Sequence, residues 1–176
     1  MIGRLAAAGV ALATLLALGG CATPAEQANM AAPAVQSGKK LPYTVRVETR
    51  GGADTGLTDM SNISDAELKS AIETSIRQSG LFRSVVADGG DYVLSVSVAG
   101  MQRPLFGGAV TVTLDMGWSL MRAGDRSVVL RKGIRTSYTA QMSHSLVGIT
   151  RMRLAVEGAV RQNISEGLQA IAEQAL

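Results

Sequence analysis

The stretch "AVTVTLDMGWSLM", residues 109–121, decides the fold. Val110, Val112, Leu114, Met116, Trp118 and Leu120 fall on one parity, and Thr111, Thr113, Asp115, Gly117 and Ser119 fall on the other. Side chains of a strand alternate between faces, so this pattern predicts a long strand with one face buried and one wet. Such a sheet needs a cover on its apolar side.

Working outward, "YVLSVSVAGM" (92–101) places Tyr92, Leu94, Val96 and Val98 on one face against Ser95 and Ser97. After the "RAGDR" turn, "SVVLRKGIRTSYTA" (127–140) reads as a further strand, in which Lys132 and Gly133 disturb the alternation and predict a bulge. "YTVRVE" (43–48) supplies a first strand, and "FRSVVA" (82–87) supplies a short one before the "DGGD" turn.

Two segments have helical periodicity. In 64–82, Ser64 and Glu67 fit a capping box, Leu68, Ile72 and Ile76 recur every four residues, and Gly80 stands where a left-handed cap is wanted. In the last segment Ile149, Met152, Val156, Val160, Ile164, Leu168, Ile171 and Ala175 form an apolar stripe. The expected architecture is α+β: a two-layer sandwich of a mainly antiparallel sheet with two amphipathic helices, in the order β-α-β-β-β-β-α. The later strands, joined by short turns, are expected to be antiparallel.

Upstream of this body lies a different kind of sequence. Residues 1–20, "MIGRLAAAGVALATLLALGG", have one cation at Arg4, an apolar run from Leu5 to Leu18 and small residues at the end. This is the layout of a secretory signal segment, shorter than the roughly 20 apolar residues of a spanning helix. The single cysteine of the chain, Cys21, follows at once. Residues 22–40 are rich in Ala, Pro, Gln and Ser without apolar periodicity and read as a flexible tether, with an r.m.s. span of roughly 25 Å. The expected organisation is a signal peptide at 1–20, a lipidated tether at 21–40 and one domain at 41–176.

The motif Leu18-Gly19-Gly20-Cys21 resembles the lipobox of bacterial lipoproteins. The resemblance implies cleavage before Cys21, an S-diacylglyceryl group on its sulfur and N-acylation of the new terminus. Cys21 is then an anchor, since each buried methylene contributes about 0.8 kcal/mol and several chains together hold a protein on a bilayer. Ala22, where an aspartate marks inner-membrane retention in enteric bacteria, points to the outer membrane, with the domain facing the periplasm.

Composition narrows the partners. The chain has 17 basic and 14 acidic residues; loss of residues 1–20 removes one Arg and leaves a formal charge of +2. Aromatic residues make up 3%, too few for base stacking along a basic groove, so nucleic acid is excluded as an expected partner.

The sequence carries few groups suited to catalysis or metal binding. His144 in "QMSHSLVG" is the only histidine, so no metal site and no cofactor beyond the acyl groups on Cys21 is expected. His144 reads as a loop or helix-entry residue, with a hydrolase using it as base as the alternative. The glycine pairs 51–52, 89–90 and 107–108 fit turns rather than phosphate loops. Candidate membrane or partner contacts are Leu105 and Phe106, in the loop "MQRPLFGGA", which can equally fold into the core. Arg151 and Arg153, with Arg161, can face anionic lipid; the simpler reading is a solvated helix face with a Glu157–Arg161 pair. Open edge strands are a further candidate surface.

The tether, the helix ending "AIETSIRQSGLFRSVV", the strand "DYVLSVSV" and the last helix "RLAVEGAVRQNISEGL" together resemble the envelope lipoproteins that act as auxiliary subunits of transport systems. These include the ABC-type transport auxiliary lipoproteins and, more distantly, the LPS-assembly lipoprotein. The resemblance implies a non-enzymatic accessory subunit with an envelope protein partner. A periplasmic carrier of lipid or a small ligand, using the space between helices and sheet, is the alternative.

Overall fold

A meander of three long strands forms most of the sheet. The computed structural model describes residues 24–33, 39–56, 62–103 and 108–176. In it β3 (Tyr92–Gln102), β4 (Val110–Arg122) and β5 (Val128–Ala140) pair antiparallel, with Leu94 opposite Leu120 and Leu120 opposite Leu130. The alternation of β4 is complete: its six inward side chains, from Val110 to Leu120, are each at most 6% exposed. The α+β, two-layer architecture and the order of its two long helices and five strands are as the sequence predicts.

The remaining strands depart from a simple meander. β1 (Leu41–Arg50) lies between β2 (Phe82–Val85) and β3 and runs parallel to both, giving the order β2-β1-β3-β4-β5. β2 and β3 are therefore not a hairpin, although a short turn joins them. The turn passes β1 at Thr44, where Asp91 Oδ2 accepts from the Thr44 N–H at 2.7 Å and from its hydroxyl at 2.8 Å. Gly89 and Gly90, with φ of 68° and 96°, supply the backbone shape that this crossing needs. The bulge is also displaced. Gly117 and Gly133 pair in regular register, and the irregularities fall between Val98 and Gly100 and between Leu120 and Met121.

Helix α2 (Asp65–Ser79) begins at Ser64, whose Oγ accepts from the Glu67 N–H, and ends at Gly80 in the left-handed conformation, φ 62°. Leu68, Ala71, Ile72 and Ile76 bury its inner face. The reciprocal half of the capping box is replaced: the Glu67 carboxylate accepts from the Gln27 N–H at 3.0 Å instead. Helix α3 (Gly148–Ala172) lays Met152, Val156, Val160, Ile164, Leu168 and Ile171 on the sheet. Asn163 is buried within that stripe. Its amide donates to the Ile134 carbonyl and its Oδ1 accepts from Trp118 Nε1, both at 2.9 Å, so no buried dipole of this group is left unpaired.

The segment expected as a tether is partly built into the body. Residues 27–30 form a single helical turn, α1 (Gln27–Met30), and Ala25, Met30 and Ala32 are almost wholly buried in the common core. Small and unbranched apolar residues among prolines lack helical periodicity, yet they fit the shallow seam between α2 and α3. The packed body thus includes residues well before Leu41.

Candidate functional site

Residues 25–32 are held against α3 by one buried carboxylate. Glu157, near the middle of α3, is 1% exposed, and its Oε1 accepts from the Glu26 N–H at 3.0 Å. Arg153 Nη1 donates to Glu26 Oε1 at 2.7 Å and stands 3.7 Å from Glu157 Oε1. Further along, Arg161 Nη1 donates to the Asn29 carbonyl, and the Ser75 hydroxyl accepts from the Ala32 N–H. These contacts form a strap: residues 25–32 run along α3 in its own direction, with Glu26 beside Arg153 and Asn29 beside Arg161.

This arrangement corrects the expected solvated helix face. Glu157 does not pair with Arg161; it is covered by the strap, and the Arg161 guanidinium sits 6.0 Å from the Tyr138 ring centroid. Arg151 is buried, and its Nη1 donates to the Ser145 carbonyl at 2.7 Å. Neither Arg151 nor Arg153 offers its charge to an anionic lipid as a free group: both hold protein partners. Leu18, Gly19, Gly20, Cys21, Leu105 and Phe106 lie outside the described residues.

His144 sits in the exposed turn between β5 and α3, where its Nδ1 accepts from the Gln141 N–H at 3.2 Å and its own N–H donates to the Gln141 carbonyl. Its ring acts as a local turn brace. Among the described residues, no group of three or more His, Cys, Asp or Glu side chains is placed to hold a metal ion.

The face of the sheet away from the helices is polar and, among the described residues, uncovered by any helix. Cross-strand rows run over it: Arg50, Ser97, Gly117 and Gly133 in one, Glu48, Ser95, Ser119 and Arg131 in the next. A shallow depression lies over the glycines, lined by Arg50, Ser95, Ser97, Ser119 and Arg131 together with the apolar Met121 and Val128. Beside it Asp115 receives two bonds from Arg135, at 2.7 and 2.9 Å. The bond from Arg135 holds the Asp115 carboxyl below its usual range. Thr111 with Thr139 and Thr113 with Ser137 share hydroxyl bonds at 2.8 Å. The surface presents paired donors and acceptors, suited to a polar partner.

Between the layers the packing is close. A Cβ on Gly167 would stand 2.5 Å from the Trp118 indole, and one on Gly158 would overlap the Tyr138 ring. At both crossings α3 backbone rests directly on an aromatic ring, which leaves no room there for a ligand.

No family model and no curated protein matches this chain. Among the described residues no helix is long and apolar enough to cross a membrane. Solved structures share the fold. A Xanthomonas campestris protein of the family DUF330 is 16% identical, with 81% of this chain and 91% of that one covered and a TM-score of 0.60. A hypothetical protein of Chlamydia trachomatis is 9% identical, covers 74% of this chain and 98% of its own, and gives a TM-score of 0.50. A minor lipoprotein of Acinetobacter baumannii is 11% identical, with 75% and 97% covered and a TM-score of 0.50. At these identities the chain is similar to them in fold.

Proposed function

We propose that this protein is a non-enzymatic, lipid-anchored envelope protein that serves as an accessory or binding subunit of a transport or assembly complex. The observation that carries the reading is the strap: the chain that follows the lipobox-like Leu18–Cys21 is taken up by α3 within a few residues, through the buried Glu157. An anchor joined so closely to the body would set how that body stands on a membrane. The opposite, polar face of the sheet is then the surface offered to a partner. One neighbour in fold, from Acinetobacter baumannii, is itself described as a minor lipoprotein, in keeping with this reading.

Ala22 supports an outer-membrane location with the domain on the periplasmic side. The close contacts of Gly158 and Gly167 with the rings of Tyr138 and Trp118 weigh against a ligand held between the layers. The brace role of His144 weighs against a hydrolase, and a His144→Ala protein with unchanged esterase background would agree. The partner is tested by crosslinking in intact envelopes. The native protein is expected to retain envelope transport or assembly proteins that a Cys21→Ala variant does not, and equal recovery of the same background by both would contradict the reading.

A further inference from the structure

The geometry points to the turn between β5 and α3, residues 141–147, as a second membrane contact that seats Met142, Leu146 and Val147 in the interface of the bilayer holding the Cys21 lipid. This rests on the lipid-anchor reading above. These three residues are 53%, 84% and 57% exposed, an unusual grouping of large apolar side chains in seven residues. Their exposure is built in. The Gln141 and His144 backbones are bonded to each other, the Ser145 hydroxyl accepts from the Val147 N–H at 3.1 Å, and Arg151 is bonded to the Ser145 carbonyl. The turn is a braced apolar knob.

What covers it follows from where the chain leads. The strap runs along α3 so that its N-terminal end lies toward the start of that helix, with Glu26 bonded to Arg153. The Glu26 backbone is held at Glu157, nine residues or about 13.5 Å of helix rise from Gly148, and its side chain reaches back to Arg153, five residues or about 7.5 Å from Gly148, which directly follows the knob. Ala25 is bonded to Asn62, whose side chain accepts from Arg103 at the end of β3. Cys21 is four residues before Ala25 and so reaches at most about 14 Å from it. The N-terminal end of the strap, to which Cys21 is joined, therefore faces the end of the body that carries the knob. No acidic residue occurs from Gln141 to Val156, so an anionic bilayer surface meets no like charge along that stretch.

The test uses the mature, acylated protein carrying Leu146→Cys, labelled with a nitrobenzoxadiazole probe and placed in phosphatidylethanolamine–phosphatidylglycerol vesicles. A Gly124→Cys protein, labelled in the turn at the other end of β4, is the control. The expected result is blue-shifted emission at position 146, quenched several-fold more by bilayer-borne spin labels than at position 124. Water-like emission at both positions, with Cys21 acylated by mass spectrometry, would overturn the inference and leave the anchor standing. So would a shift seen only when envelope proteins are added, which would assign the knob to a protein partner. An unmodified Cys21 would remove the anchor and this inference together.

Discussion

The backbone N–H of Glu26 donates to the carboxylate of Glu157, 131 residues later in the chain, at 3.0 Å. This bond joins the strap to the middle of the last helix, in a site almost closed to water. A carboxylate there would be costly without donors; the strap supplies one N–H, and Arg153, one turn earlier on α3, brings a positive charge to 3.7 Å.

Glu157→Ala should release the strap. We expect a loss of about 2 kcal/mol, the order of a charge-assisted hydrogen bond, with faster amide exchange confined to residues 25–32. Exchange measured by mass spectrometry checks this; unchanged protection of the strap would show that Ala25, Met30 and Ala32 hold it alone.

Gly167→Ala should destabilise the protein by about 1–3 kcal/mol, although alanine is the better helix former, because its methyl meets the Trp118 indole at 2.5 Å. Gly133→Ala, where a Cβ meets nothing, should stay within about 0.5 kcal/mol of the parent. Urea midpoints of the two variants give the comparison.

Asn163→Leu leaves the Trp118 N–H and the Ile134 carbonyl without their partner and should cost about 1–3 kcal/mol. Trp118 is the sole tryptophan, so its emission reports the change directly. An unaltered spectrum and stability would mean that water replaces the amide.

Asp91 is held below the usual aspartate range, first by the Thr44 N–H, then by the Thr44 hydroxyl, with Arg83 adding a smaller effect. A carboxyl lowered in the folded state contributes stability above its unfolded value, about 3.9, and loses it as pH falls through the lowered folded value. Denaturant midpoints of the parent should therefore fall as the medium is acidified below about pH 4. In Asp91→Asn the midpoint should start lower at neutral pH and fall less over the same range.

The parts legible in the sequence were those whose signal is local. The period-2 alternation of 110–120 reports its own burial, Ser64 and Gly80 mark the ends of α2, and the apolar stripe of α3 names its own inner face. What escaped depends on partners far along the chain. Ala25, Met30 and Ala32 carry no periodicity, so only the seam between α2 and α3 makes them core. Glu157 and Arg161 have the spacing of a surface pair, but the strap takes up both. The "DGGD" turn suggests a hairpin, yet it serves a crossing of β1, because β1 lies between β2 and β3 and its Thr44 binds Asp91. The apolar residues of 141–147 were visible as letters, but a short turn around a histidine gives no sign of which side chains point outward.

The central claim is that Cys21 is the membrane anchor, and the mass of the N-terminal peptide of the protein purified from its native envelope tests it most directly. The account predicts a mature chain beginning at Cys21 and carrying a diacylglyceryl group and an N-acyl chain. A peptide retaining residues 1–20 with an unmodified thiol would contradict it.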